Sequence, residues 1–84
     1  MSGRIEIRFT PGEGAMLRML GLVERRGFAV LGIAMNQVSD EARIAMEVEA
    51  RDPRRRLDVL TRQLERLIDV RSVEISQDQA GTPA

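Results

Sequence analysis

The apolar residues of this chain switch between two spacings, and the order of the switches restricts the fold more than any other feature. In residues 4–10, RIEIRFT, apolar and polar side chains alternate strictly, which predicts a strand with one buried face. In residues 14–26 the spacing becomes three or four positions, which predicts a helix. Gly27 predicts the end of this helix, because glycine readily adopts the left-handed conformation of a helix stop. The apolar stripe of the helix consists of Met16, Met19, Leu20 and Val23.

An antiparallel hairpin is predicted in the middle of the chain. Residues 28–38 are rich in strand-forming residues, and residues 43–50 again alternate between apolar and polar side chains. The residues Ser-Asp-Glu at 39–41 predict the turn between the two strands. The inward-facing residues of the second strand are Ile44, Met46 and Val48.

A second helix and a last strand follow the hairpin. Asp52 predicts an N-cap, and Pro53 is typical of the first helical residue. Residues 70–75 predict a strand in which Val73 and Ile75 face inward. The apolar stripe of the second helix consists of Leu57, Leu60, Leu64 and Leu67.

The resulting order, β-α-β-β-α-β, indicates an α+β fold of the ferredoxin-like type. In this arrangement an antiparallel four-stranded sheet has two helices on one face. We predict a single domain over residues 1–76, followed by a polar, frayed tail over residues 77–84.

The composition excludes several classes of protein. The 84 residues carry 13 basic and 13 acidic side chains, and zero net charge disfavours a general binder of nucleic acid or of membrane surfaces. No apolar stretch approaches the roughly 20 residues that span a bilayer, and the N-terminus has no signal-peptide pattern. We therefore expect a cytoplasmic protein.

The side chains that usually carry out catalysis are absent. The chain has no histidine, cysteine, lysine, tyrosine or tryptophan, which leaves only carboxylates, arginines and hydroxyls. It also lacks the ligands of a zinc site. We expect no enzyme activity, no metal and no cofactor on this chain. A chain of this length buries only about 60–65% of its unfolded surface, so we expect additional stability from a subunit contact.

The segment FTPGEGAML, residues 9–17, connects the first strand to the first helix. Glycine-rich turns before a helix can hold an anion on backbone N–H groups, or they can simply punctuate the chain. The spacing matches neither a phosphate-binding P-loop nor a dinucleotide fingerprint, so a plain turn and a small-carboxylate site both remain open.

Three further features allow two interpretations each. Leu17 and Leu22 lie beside the apolar stripe of the first helix and are predicted to be exposed, either singly or as a subunit contact. Residues 54–56, three arginines in the predicted first turn of the second helix, form a solvated face or meet an anionic partner. The predicted fold is shared with RNA-recognition modules, but Phe9 and Phe28 are the only aromatic residues and Phe9 faces inward.

Two segments carry a resemblance to a known family. The run GAMLRMLGLVERRGFAV, residues 14–30, resembles the first helix and second strand of ACT domains in acetolactate synthase regulatory subunits. The run QLERLIDVRSVEI, residues 63–75, is similar to the closing segment of the same domains.

The resemblance implies a function. Such subunits do no chemistry and instead activate a large catalytic subunit, which carries thiamine diphosphate, Mg²⁺ and FAD and condenses pyruvate with a second 2-oxo acid. It also implies a homodimer, with valine at the dimer interface in the valine-sensitive members. The alternative is a stand-alone ACT dimer that binds an amino-acid effector for another enzyme or regulator.

The resemblance also assigns a set of effector-binding residues, and we separately predict that the exposed side of the first helix, with the second strand, contacts the catalytic subunit. Valine-responsive members have asparagine where this chain has Pro11 and Ala29, so we expect weak or no valine binding. The effector-binding set, largely through its backbone, is Gly12, Gly14, Ala15, Met16, Ala29 and Val30. The predicted interface with the catalytic subunit consists of Leu17, Leu22, Arg25, Arg26 and Phe28.

Overall fold

The structure is a computed structural model and describes residues 2–78. Its elements are β1 (Ser2–Phe9), α1 (Ala15–Arg25), β2 (Phe28–Val38), β3 (Glu41–Ala50), α2 (Leu57–Leu64) and β4 (Val70–Asp78). The predicted order of strands and helices is confirmed. The span of β2 agrees with the prediction at both ends, because Gly27 precedes it and the turn at Ser39 and Asp40 follows it.

The four strands form one antiparallel sheet in the order β2-β3-β1-β4. The ferredoxin-like fold is therefore confirmed. Ile5 lies opposite Met46, and Ile7 lies opposite Ile44, so the alternating apolar residues of the two central strands share one face. That face meets the helices, and these four side chains are at most 1% exposed.

The buried face of α1 matches the predicted apolar stripe only at Met19 and Val23. Its buried residues are Ala15, Met19, Leu22 and Val23, and Met16 and Leu20 are only partly buried. The prediction that Leu22 is exposed is therefore wrong, since positions i, i+4, i+7 and i+8 form one helical face that includes it. Gly27 has φ of +90°, as expected for the residue that ends the helix.

Helix α2 begins at Leu57, four residues later than predicted. The carboxylate of Asp52 accepts a hydrogen bond from the N–H of Arg54 at 2.9 Å, and its carbonyl accepts one from the N–H of Arg55 at 2.9 Å. Asp52 and Pro53 thus start a turn, a use equally suited to these residue types. Arg54, Arg55 and Arg56 precede the helix, so their predicted position in its first turn is wrong.

The second half of the chain differs from the prediction at three more points. Leu67 lies beyond the end of α2 but still packs partly against the core, as does Val73. Ile75 lies opposite Ile5 and so on the helix-facing side of the sheet, yet it is 43% exposed. Strand β4 includes Gln77 and Asp78, which we had assigned to the tail, and residues 79–84 lie outside the described residues.

Candidate effector and partner sites

The turn between β1 and α1 and the first two residues of α1 contain four of the six predicted effector-binding residues. Gly14 caps α1 with φ of +80°, a conformation that glycine adopts without strain. The N–H of Ala15 donates to the carbonyl of Gly12 at 3.1 Å, whereas within residues 2–78 the N–H groups of Gly14 and Met16 have no backbone acceptor. Of the N–H groups of Gly14, Ala15 and Met16, those of Gly14 and Met16 are therefore available to a ligand.

An arginine that the sequence analysis did not assign to the site closes over this turn. The Nε of Arg18 donates to Oδ2 of Asp69 at 2.9 Å, and its Nη2 donates to the carbonyl of Glu13 at 3.3 Å. The N–H of Thr10 donates to the carbonyl of Asp69 at 2.8 Å. Because Asp69 already neutralises Arg18, this cation offers little attraction to an incoming carboxylate.

The other two effector-binding residues lie on β2, which is an edge strand. Ala29 lies opposite the exposed Glu49, and Val30 lies opposite the buried Val48, so the two side chains are on opposite faces of the sheet. Helix α1 packs on β2, but among residues 2–78 no hydrogen bond joins the turn to this strand. The assignment of all six residues to one effector site stays a prediction.

The predicted partner surface keeps three of its five members at the surface. Leu17 is 75% exposed, and Arg25 and Arg26 are also exposed. Leu22 and Phe28 are 7% and 4% exposed and belong to the core, so only the predicted exposure of Leu22 is wrong, and the assignment of the five residues to the interface stays a prediction. Phe28 is buried because it lies on the helix-facing side of the sheet, opposite Ala50.

Within residues 2–78, β2 carries several exposed large apolar side chains beyond Phe28, Ala29 and Val30, the residues of this strand that the sequence analysis assigned to a site. Ile33 lies opposite Met46 and Met35 lies opposite Ile44, so both are on the helix-facing side, yet both are 46% exposed. Leu31, which falls at an irregularity in the β2–β3 pairing, is 56% exposed. We call the exposed residues Leu31, Ile33 and Met35 with the open backbone of β2 the apolar edge.

Comparisons with known proteins agree with this geometry. The model of the ACT-domain family matches residues 11–73. The chain belongs to the ACT-domain family. It is 37% identical over 73 residues to the acetolactate synthase isozyme 2 small subunits of Escherichia coli K12 and Shigella flexneri, an alignment that covers 87% of this chain and 80% of each relative.

Solved structures share the fold of this ACT domain at much lower identity. The ACT domain from the GTP pyrophosphokinase of Chlorobium tepidum is similar with a TM-score of 0.73 and 16% identity, covering 89% of this chain and 96% of that one. The C-terminal domain of the MgtC protein from Mycobacterium tuberculosis is similar with a TM-score of 0.70 and 11% identity, covering 99% and 93%. At these identities the likeness concerns the fold alone.

Three features of the ACT domain bear on nucleic acids, metal ions and membranes as binding partners. Phe9 and Phe28 are both buried, so neither is available to stack on a nucleic-acid base. Residues 2–78 contain no group of three or more side chains placed to hold a metal ion. Neither of the two helices is long and apolar enough to cross a membrane, within the described part of the chain.

Three carboxyl groups of the ACT domain have a pKa that a neighbouring arginine lowers. Hydrogen bonds from Arg8, Arg54 and Arg56 lower the pKa of Glu41, Asp52 and Asp58, respectively. The pairs are at the surface: Arg8 reaches Glu41 at 2.9 Å, Arg54 reaches Asp52 at 3.0 Å, and Arg56 reaches Asp58 at 3.1 Å.

These pairs predict how stability depends on pH. A carboxyl whose pKa is lowered in the folded state stabilises it fully above its unfolded pKa, about 4, and the contribution is lost as pH falls through the folded pKa. The chain has no histidine, so we expect a flat melting temperature between about pH 6 and 8 and a decline below about pH 4. Scanning calorimetry at low salt measures this profile, and a decline that begins near neutral pH would contradict the prediction.

Proposed function

We propose that this ACT domain is a non-catalytic subunit that binds and activates the catalytic chain of an acetolactate synthase. The observation that carries the proposal is its 37% identity, over 87% of its length, to small subunits of acetolactate synthase isozyme 2. The reaction belongs to branched-chain amino-acid biosynthesis, and a cytoplasmic location accords with it. Thiamine diphosphate, Mg²⁺ and FAD would be held by the catalytic partner.

The chemistry of the chain supports a role without catalysis. It contains no histidine, cysteine or lysine, and the surface carboxylates of Glu41, Asp52 and Asp58 pair with arginines. Such a chain acts on a reaction through contacts with the protein that catalyses it.

A homodimer through the apolar edge accompanies this proposal. An edge strand with exposed N–H and C=O groups and exposed apolar side chains is a template for pairing with another strand. Two copies of β2, which is 11 residues long, can pair about a two-fold axis and bury Leu31, Ile33 and Met35 from each chain. This contact would supply stability that a core of 84 residues lacks.

We further propose that the turn before α1 binds valine weakly. Pro11 has no N–H, Ala29 has no polar side chain, and Arg18 is neutralised by Asp69. Each missing hydrogen bond to a charged ligand costs about 1.5–3 kcal/mol, so we expect a dissociation constant of about 1 mM or weaker. Calorimetric titration with valine tests this, and micromolar binding would refute it.

A matched variant tests whether the two missing asparagine side chains account for the weak binding of valine. The double substitution Pro11→Asn and Ala29→Asn introduces the amides that valine-responsive relatives carry at these positions. We expect it to bind valine at least about 10-fold more tightly than the wild type, a difference of about 1.4 kcal/mol. Equal, weak binding by both proteins would show that the missing amides are not what limits affinity.

Reconstitution tests the main proposal. The purified chain is added to its cognate catalytic chain, and acetolactate formation is measured with and without valine. We expect a several-fold increase in activity and little response to valine. Absence of both stimulation and physical association would contradict the proposal and leave the stand-alone ACT dimer, a sensor for another enzyme or regulator, as the better description.

A further inference from the structure

A groove of about 500 Å³ opens at the end of the sheet where β1 begins and β4 ends. Its floor and one wall are apolar, and the loop between β3 and α2 forms the opposite wall with Arg55 and Arg56. The apolar lining residues are Phe28, Val48, Ala50, Pro53, Leu57 and Ile75. We call this cavity the loop groove.

The loop groove exists because α2 begins late. Asp52 holds the chain in a turn through its bonds to Arg54 and Arg55, and Arg56 is extended, with φ of −116° and ψ of 136°. The turn of helix that the sequence predicts at Pro53 is therefore absent from the end of the sheet. As a result Ile75, on the helix-facing side, stays 43% exposed.

The charged residues that line the loop groove are Arg55, Arg56 and Asp58, a net charge of +1. The segment around them, residues 51–62, contains five arginines and two aspartates, a net charge of +3 in a chain whose total is zero. Arg54 pairs with Asp52, and Arg56 pairs with Asp58 at 3.1 Å. Arg55 lines the groove and, within residues 2–78, forms no ion pair, so its guanidinium is available to an incoming carboxylate.

The side chain of Arg55 lies against Gly27. A Cβ atom added at Gly27 would lie 2.6 Å from Nε and 3.0 Å from Cδ of Arg55, so the arginine crosses the space that a side chain would occupy. The N–H of Arg51 donates to the carbonyl of Gly27 at 2.9 Å, which holds the loop against the end of α1. Arg26 precedes Gly27, so the loop groove adjoins the predicted partner surface.

We propose that the loop groove binds an acidic segment of the catalytic chain, with an apolar side chain of that segment on the groove floor and a neighbouring carboxylate on Arg55. This inference rests on the proposed function, which supplies the catalytic chain. An apolar floor together with a basic wall fits a protein segment better than a small anion, because a small anion would leave the floor uncovered. The residues of the apolar edge do not line the groove, so dimerisation and docking use separate surfaces.

Binding to the cognate catalytic chain tests the proposal. The dissociation constant is measured by biolayer interferometry for the wild type, Arg55→Glu, Ile75→Thr and the control Arg66→Glu, an exposed arginine that does not line the groove. We expect at least about a 10-fold loss for Arg55→Glu, a smaller loss for Ile75→Thr, and less than a twofold change for the control. We also expect Arg55→Glu to reduce the salt dependence of binding, which a purely structural role would not do.

The outcomes separate this proposal from the proposed function. If the wild type does not bind the catalytic chain, the proposed function fails. If it binds and Arg55→Glu binds equally well with an unchanged melting temperature, the docking site is wrong and the proposed function stands. An unchanged affinity for the catalytic chain combined with loss of self-association in Arg55→Glu would overturn the proposal by assigning the groove to a second copy of this chain.

Discussion

Replacing Ile33 with lysine is expected to convert the proposed dimer into a monomer. Ile33 is 46% exposed on the edge strand β2, and in a dimer through the apolar edge it would be buried near the two-fold axis. A lysine there brings two like charges together in a contact that removes them from water, and neither charge has a carboxylate partner. We expect the dissociation constant of the dimer to rise at least about 100-fold, or about 2.7 kcal/mol.

Sedimentation velocity over a range of concentrations measures this effect, and Val59→Lys provides the matched control. Val59 is an apolar residue of α2 that is 43% exposed, close to the exposure of Ile33, but it lies away from β2. The control should sediment like the wild type. If Ile33→Lys also sediments like the wild type, the contact does not use the apolar edge; if the control dissociates as well, added charge alone explains the result.

The substitution Leu64→Ala is expected to cost most of the stability of the domain. Leu64 is fully buried at the last position of α2, within the single cluster of apolar residues that forms the core. Truncating a buried leucine removes about 2–5 kcal/mol, because the transfer free energy is lost and a cavity remains. A domain of this size has a total stability near the lower end of about 5–15 kcal/mol, so a large fraction of the variant should be unfolded at 37 °C.

Urea denaturation at one fixed protein concentration measures the loss, since the proposed dimer would make stability depend on concentration. The control is Ile68→Ala, four residues along the chain, where the side chain is 92% exposed. This substitution should change the free energy of unfolding by no more than about 0.5 kcal/mol. Similar losses of stability in the two variants would contradict the structure, in which Leu64 is buried and Ile68 is exposed.

Strands β1 and β3 were predictable because their apolar residues alternate with a period that only one structure uses. Residues 43–50 alternate strictly, and Ile44, Met46 and Val48 are all buried as expected. The start of α2 was not predictable from the same kind of signal. Asp52 and Pro53 are equally typical of a helix N-terminus and of a turn, and the choice depends on hydrogen bonds that the sequence does not reveal.

The candidate sites were predictable only where the local sequence determines the backbone. The turn at Gly14 could be placed because glycine permits its φ of +80°. The ion pair that closes it could not, because Arg18 and Asp69 are 51 positions apart and each has many possible partners. Leu22 was misplaced because a helix with apolar residues on three sides leaves its buried face undetermined until it packs against the sheet.

The two edge strands of the sheet, β2 and β4, differ in their exposed side chains. This difference bears on how many copies of the chain could pair through their sheets. One edge, β2, presents exposed apolar side chains, whereas the other, β4, carries the exposed charges of Arg71 and Glu74. Charged side chains on an edge strand hinder pairing with a further chain. In the proposed dimer, a contact between two copies of β2 would be self-complementary and would close on itself, which leaves the two β4 strands, with Arg71 and Glu74, at the outer edges. The sheet of that dimer would therefore end at eight strands, four from each copy, rather than extend into a filament.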